Sequence, residues 1–501
     1  MDKSKDKSKK YIGAISIILI LTLFIMILSL ILGSLNISGE QTSISNGLLQ
    51  TSLVTIKNIF SIDGIKFLLG SAVKNFQTFS PLIILILSIM CTSILESSGL
   101  LEHIFGRLGK LKTSIITFLT LLISILFIFF GEYSYLFLFP LIAAIYKAMG
   151  KNPVSGLITV FLGITLGYSF GIFMNGDNYS LGLLTEQAAT LDVDPTYRFN
   201  SFSTIYIMLS GALLLLFLLT IFIERKITNN LKKVQRNDDE YNHSISALII
   251  SIIVFIILAI ITFIFTLSNS PLVDIDGNSY VTKLFGDNSI FKDGLIYIVL
   301  LILILVGSIY GKISKNFKND AQSNVGISTN FDGLGYVFAI MFFGVQLISV
   351  LDYTNIGTVI ITGLTNLLSV MEISGIFLII IFMLIVVITS VLVPSLTSKW
   401  VLMAPIIVPL FMRANITPEF CQYLYVFFST ISRCVTPFFI YLIILIGFIN
   451  KYNIEDEEIT LTGVLKLMLP TILSVVGIMI LFVFLWYISG IPVGISGYPT
   501  L

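Results

Sequence analysis

Charge is what this sequence lacks most. Of its 501 residues, 11% are Asp, Glu, Lys or Arg, against roughly 25% in a soluble domain. Hydrophobic residues make up 56%. A chain this apolar cannot cover its surface in water, so lipid must be part of its solvent. The net charge of +1 gives no global attraction to nucleic acid. Cysteine is equally scarce. Cys91, Cys421 and Cys434 all lie in apolar stretches, with neither a disulfide framework nor metal-ligand spacing. The two histidines, His103 and His243, fall in polar connections far apart in sequence. A phosphate-binding loop, a nucleophile elbow and a zinc motif are all missing. These absences argue against an enzyme, a resident metal and an organic cofactor.

What is present is a series of long apolar runs. A Lys/Asp/Ser tail, Met1 to Lys10, precedes the run Tyr11 to Gly33. That run exceeds the roughly 7–15 residues of a secretory signal core and lacks a small-residue cleavage site. It is expected to be a retained membrane helix. Spanning segments of roughly 20 residues are expected near 11–33, 78–95, 113–131, 134–149, 201–223, 246–267, 293–313, 328–350, 375–393 and 465–488. Less regular apolar stretches, broken by Gly, Pro, Ser, Thr or single charges, cover 153–176, 357–371, 394–412 and 419–450. An amphipathic stretch, Leu53 to Phe76, is expected to lie on the membrane surface.

Lysine and arginine in the connections set the expected orientation. Lys3, Lys5, Lys7, Lys9 and Lys10 place the N-terminus in the cytoplasm. Arg107, Lys110, Lys112, Lys147, Lys151, Arg225, Lys226, Lys232, Lys233, Arg236, Lys312, Lys315 and Lys318 then fall on the same side of one consistent threading. The expected location is the cell (inner or plasma) membrane. The chain divides into a cytoplasmic tail at 1–10, a first membrane half at 11–223, a cytoplasmic loop at 224–245, a second membrane half at 246–488 and a C-terminal tail at 489–501. Each half holds intact helices followed by broken ones. That is the pattern of inverted-repeat transporters, whose sites form at interrupted helices. Irregular backbone at membrane depth survives only inside protein or beside water, so the broken stretches mark the candidate pathway.

Three stretches carry polar chemistry. In the first, Gly163 to Ala188, glycines 163, 167, 171 and 176 interrupt the helix, and Asn175, Asp177 and Asn178 follow. A carboxylate at the membrane centre costs roughly 2.5–3.5 kcal/mol. A deep Asp177 would therefore bind an ion, a proton or substrate, whereas a shallow one would only cap a helix or sit in a loop. In the second, Val386 to Trp400, an apolar helix ends at Pro394 among Ser395, Thr397 and Ser398, and a new run starts after Lys399 and Trp400. Hydroxyls, free backbone groups and a helix start can hold a cation or a carboxylate there. A surface loop with Lys399 in water and Trp400 as an interfacial anchor fits the same residues. In the third, Ser429 to Pro437, Arg433 lies in an apolar region among Ser429, Thr430, Ser432 and Thr436. It is placed either to make a two-pronged bond to a carboxylate or to snorkel to the interface. Glu96, Glu132, Asp352 and Glu372 read as loop residues or helix caps.

These residues give the chain a resemblance to the AbgT family, the p-aminobenzoyl-glutamate transporters. The resemblance runs through FSPL at Phe79 to Leu82, ILESSGLL at Ile94 to Leu101, the Asp177 region with Thr185 and Glu186, QLISVLDYTNIGT at Gln346 to Thr358, and the C-terminal WYISGIPVGISG. Its most specific part is SLTSKWVLMAPIIVPLFM, Ser395 to Met412. The resemblance implies an all-α polytopic membrane protein of inverted-repeat type, with broken helices and two re-entrant hairpins per subunit, assembled as a homodimer. It implies secondary transport of p-aminobenzoyl-glutamate or related aromatic carboxylates and antifolates, including sulfonamide efflux, driven by protons or sodium. Dicarboxylate or other organic-anion transport within the same superfamily is the alternative. Asp177, Ser395, Thr397, Trp400, Thr436 and Pro437 fall on matching or similar positions, with sodium expected near Asp177, Ser395 and Thr397 if it is the coupling ion. Trp400 would stack on an aromatic ring of the substrate.

The chain departs from the family pattern at several places. Ser390 stands where the family has Asn, Pro394 where it has Gly, Val426 where it has Arg and Ser429 where it has Asp. Arg433 replaces an Asn seven positions after Val426. Seven residues are nearly two turns, about 10.5 Å along one face of a continuous helix. Arg433 is thus expected to take over the cationic role at a shifted depth, leaving Asp177 as the acid for coupling or for positioning substrate. Arg433→Ala is expected to abolish transport, measured as uptake into proteoliposomes at equal insertion. Retained uptake would remove Arg433 from the pathway.

Overall fold

The computed structural model describes residues 12–45, 48–232, 241–267, 280–286, 289–453 and 459–501. The N-terminal tail, Lys233, Arg236 and part of the 268–292 connection lie outside them. The helices, in order, are α1 (Ala14–Ser34), α2 (Ile62–Gln77), α3 (Ser80–Ser97), α4 (Leu100–Phe105), α5 (Thr113–Phe127), α6 (Tyr133–Ala148), α7 (Pro153–Gly167), α8 (Gly176–Asp192), α9 (Ile205–Lys226) and α10 (Ile245–Thr266). The second half continues with α11 (Tyr280–Phe285), α12 (Phe291–Ile313), α13 (Asp320–Gly326), α14 (Gly335–Thr354), α15 (Ile356–Ser369), α16 (Gly375–Leu392), α17 (Leu396–Arg413), α18 (Pro418–Arg433), α19 (Ile440–Lys451) and α20 (Leu461–Ser489). Among the described residues, eleven helical segments are long and apolar enough to cross a membrane.

The expectation of an all-helical chain misses one element. Strands β1 (Ser38–Ser45) and β2 (Leu48–Thr55) pair antiparallel. The stretch 53–76 is therefore not one amphipathic helix. Its first residues complete β2, and α2 starts only at Ile62, where the Ser61 hydroxyl accepts from Gly64 N at 3.1 Å. Gly39 lets β1 lie directly on α15, because a Cβ there would come within 2.5 Å of Thr362 Oγ1.

Burial sorts the helices by the solvent each one meets. In α10, made almost wholly of Ile, Leu, Phe and Val, only Ala247, Ser251 and Thr266 are buried. In α7 every residue is buried, and in α19 so is every residue from Ile440 to Phe448. The outer helices are uniformly greasy and face lipid. The inner ones carry the hydroxyls and charges, because protein partners are the only ones available there.

The broken stretches resolve into distinct corners. Gly163 and Gly167 do not interrupt α7. They let α5 approach, since a Cβ on either would come within 3.0 Å of Ser124 or Ile125. The break lies later, at 168–175, between α7 and α8. Gly131, with φ 59° and ψ −139°, turns the corner between α5 and α6. Pro394 divides α16 from α17, and residues 434–439 divide α18 from α19.

A helix end leaves backbone carbonyls without partners. At the α16–α17 break, Thr436 supplies one of them, and two side chains of α18 bond to further carbonyls on either side of the break. Thr436 Oγ1 donates to Val391 O at 2.5 Å, Ser432 Oγ to Val387 O at 2.7 Å, and Tyr425 OH to Leu396 O at 2.5 Å. Thr436→Val keeps the shape and removes the donor. It is expected to lower stability by about 1–3 kcal/mol, read as a lower melting temperature in detergent.

Candidate functional site at the helix breaks

Arg433 closes α18 and is 1% exposed. Its Nε donates to Pro394 O at 2.7 Å, and its Nη2 pairs with Glu132 Oε1 at 2.7 Å. Its guanidinium also lies 4.9 Å from the centre of the Phe439 ring and 5.5 Å from that of Tyr168. Tyr168 in turn donates its hydroxyl to Asp177 Oδ2. One guanidinium thus joins the α5–α6 corner through Glu132, the α7–α8 break through Tyr168, and the α16–α17 break through Pro394. Its Nη1 is buried without a partner.

Glu132 occupies the N-cap position of α6, as its reading as a loop residue or cap has it, but its side chain makes no cap hydrogen bond. Its carboxylate is the counter-ion of Arg433. The pair is 301 residues apart, and nothing local in the sequence announces it. Glu132 and Asp177 both line a cavity of about 410 Å³, together with Gly131, Tyr133, Lys292 and Tyr441.

A second cavity, of about 200 Å³, lies on the other side of Phe129 and Phe285, which line both. Its wall includes Phe173, Phe199, Phe202 and Tyr423, with Ser169, Asn178 and Gln422 as polar groups. Val426 lines it as well, at the position where the family pattern has Arg. Among its described lining residues, Glu419 is the one that carries a charge. The start of α8 divides the two spaces, with Gly176 and Asp177 facing the larger and Asn178 the smaller.

The remaining candidates have separate surroundings. Asn175 caps α8: its Oδ1 accepts from Asn178 N at 2.8 Å, and its Nδ2 donates to Ile128 O at 3.2 Å. Ser395 caps α17, and its hydroxyl donates to Ser398 Oγ at 3.0 Å. Ser395 and Thr397 line neither cavity, so the structure does not join them to Asp177. Ser432 and Thr436 are committed to backbone carbonyls, and Pro437 sits in the 434–439 connection.

Trp400 is neither an interfacial anchor nor open to a substrate ring. It is fully buried, its Nε1 donates to Thr185 Oγ1 at 3.0 Å, and its ring centre lies 4.3 Å from that of Tyr425. Lys399 does not reach water. It is fully buried and donates to Ser390 and Ser429. A lysine beside a helix break reads as surface chemistry, and only packing shows otherwise.

Breaking a buried ion pair by removing one partner costs more than the pair was worth. Glu132→Ala is expected to lower stability by about 3 kcal/mol, the low end of the range because the Glu132 side chain is 31% exposed to its cavity. Glu132→Gln, which can still accept from Arg433, is expected to lose less. Thermal unfolding of the two variants in detergent compares them.

Residues 11–501 match the AbgT putative transporter family. The p-aminobenzoyl-glutamate transport protein of Escherichia coli (strain K12) is 23% identical over 490 residues, covering 96% of this chain and 93% of that protein. Two solved structures share the fold, each with a TM-score of 0.50. The YdaH transporter of Alcanivorax borkumensis is 22% identical and matches 96% of this chain and 100% of its own. MtrF of Neisseria gonorrhoeae, which illuminates a class of antimetabolite efflux pumps, is 24% identical and matches 98% of each. The match spans both membrane halves and every helix break described above, and on that basis the chain belongs to the AbgT family of transporters and is a multi-pass membrane protein rather than an enzyme.

Proposed function

We propose that the chain is a cation-coupled secondary transporter of small aromatic compounds of the p-aminobenzoyl-glutamate and antifolate class. The observation that carries this reading is the cluster at the helix breaks, where Glu132 pairs with the buried Arg433 guanidinium, Asp177 accepts from Tyr168, and both carboxylates line one cavity. Such a cluster changes its internal balance when a proton or small cation joins it, which is what coupling requires. Asp177 is the coupling acid in this reading, because its carboxylate rests on a tyrosine hydroxyl and, among the described residues, forms no ion pair. Glu132 is held by Arg433.

The substrate class rests on the smaller cavity and on the name of the Escherichia coli relative. Phenylalanine and tyrosine walls suit an aromatic ring. Gln422, Asn178 and Ser169 suit an amide or amine, and Glu419 favours the amine end. A dicarboxylate without a ring would leave the aromatic walls unused, so the organic-anion alternative is less well served. In the same reading the two broken regions, α7–α8 and α16–α17, act as the re-entrant hairpins of an inverted repeat. They move against a scaffold that includes a homodimer contact, with the N-terminus in the cytoplasm.

Uptake of p-aminobenzoyl-glutamate into proteoliposomes under imposed proton or sodium gradients tests this. Gradient-driven uptake is expected in wild type and is expected to be lost in Asp177→Asn. Uptake unchanged in the variant would move coupling to another group. No uptake by folded wild type would overturn the substrate class.

A further inference from the structure

Lys399 has no role in the pathway described so far, yet its placement is costly. It lies in the first turn of α17 and is 0% exposed, as are Ser390 and Ser429. Its Nζ donates to Ser390 Oγ and, at 3.0 Å, to Ser429 Oγ. The two hydroxyl hydrogens are spent elsewhere. Ser390 donates to Val386 O at 2.5 Å and Ser429 to Tyr425 O at 2.7 Å. Both hydroxyls therefore turn lone pairs toward the lysine and can only accept from it. The third face is the Tyr425 ring, whose centre is 5.2 Å from Nζ.

Donor counting identifies the species that fits. An ammonium has three N–H donors. Two meet the hydroxyl oxygens and the third meets the negative face of an aromatic ring. A neutral amine would direct its lone pair at that same face, where it is repelled. Among the described residues no carboxylate forms an ion pair with Lys399. The start of a helix also disfavours a cation. Neither a salt bridge nor the helix dipole accounts for a lysine here.

The place itself suggests the reason. Ser390 is in the last turn of α16, directly before the break at Pro394. In transporters built on broken helices, the C-terminal ends of half-helices are where coupling cations are held. Ser390 and Ser429 are also two of the positions at which this chain departs from the pattern it resembles. We propose that the Lys399 ammonium is a tethered cation filling a cation cage made by Ser390, Ser429 and Tyr425, so that no sodium ion enters at the α16–α17 break. The inference rests on the reading of the chain as a cation-coupled carrier, and it goes beyond that reading by assigning a fixed charge.

The test needs no substrate, so it stands apart from the substrate class. The melting temperature of purified protein in detergent is measured in sodium chloride and in choline chloride, for wild type and Lys399→Ala. Removing the side chain empties the cage. The variant is expected to gain a saturable sodium-dependent rise of about 2 °C or more, beyond any rise in wild type, and bound sodium-22 is expected to rise with it. Propylammonium chloride, which restores the missing group, is expected to raise its melting temperature and compete with sodium. A lysine that only stitched three helices together would produce neither gain. No gain in the variant relative to wild type overturns the proposal. If Lys399→Ala does not survive purification, Ser429→Asp decides. A carboxylate against a permanent ammonium is expected to raise the melting temperature equally in both salts. An unchanged or lower value, or a rise confined to sodium, overturns it.

Discussion

A buried guanidinium in a lipid-solvated protein has to find every partner within the protein. Arg433 finds a carboxylate from the α5–α6 corner, a carbonyl from the α16–α17 break and two aromatic faces. The geometry of the breaks follows from that requirement. Pro394 stops α16 where its carbonyl can meet Arg433, and Gly131 takes a positive φ that lets the chain turn and present Glu132. Four helix breaks, far apart in sequence, are held at one place because a single charge needs all of them.

The same requirement explains how polarity is distributed. Outer helices such as α10 carry almost nothing but aliphatic and aromatic side chains, since any polar group facing lipid would go unpaired. The inner helices α7 and α18 can carry hydroxyls because acceptors lie within reach, on a neighbouring helix or on their own. Many of those hydroxyls bond to carbonyls of their own helix, as Thr165 does to Phe161 and Ser429 to Tyr425. Such bonds leave the oxygen lone pairs facing outward. A protein interior rich in outward-facing oxygens can accommodate cations, and this one accommodates Lys399.

Two cavities that share Phe129 and Phe285 in their walls differ in chemistry. The larger has the acids and lies beside the guanidinium. The smaller has the aromatic walls and the amide groups. The start of α8 carries Asp177 into one and Asn178 into the other. A shift of this helix end would therefore be felt in both spaces at once.

Sequence alone determined the solvent and most of the spans, because long apolar runs have no other stable destination. It also located the breaks near Asp177, Pro394 and Arg433, since Gly, Pro and stranded polar groups mark them whatever the packing. The hairpin at 38–55 was not legible: its polar, weakly alternating strands look like a loop until α15 supports them. Tertiary structure alone decided which charges meet. Glu132 reads as a cap, Lys399 as a surface residue and Trp400 as an anchor or stacking platform, because each has ordinary neighbours along the chain. Their actual partners, Arg433, Ser390 with Ser429, and Thr185 with Tyr425, come mostly from other helices. Hydropathy is a property of consecutive residues and survives in one dimension. Electrostatic pairing inside a membrane is a property of distance in three dimensions, and only the fold sets it.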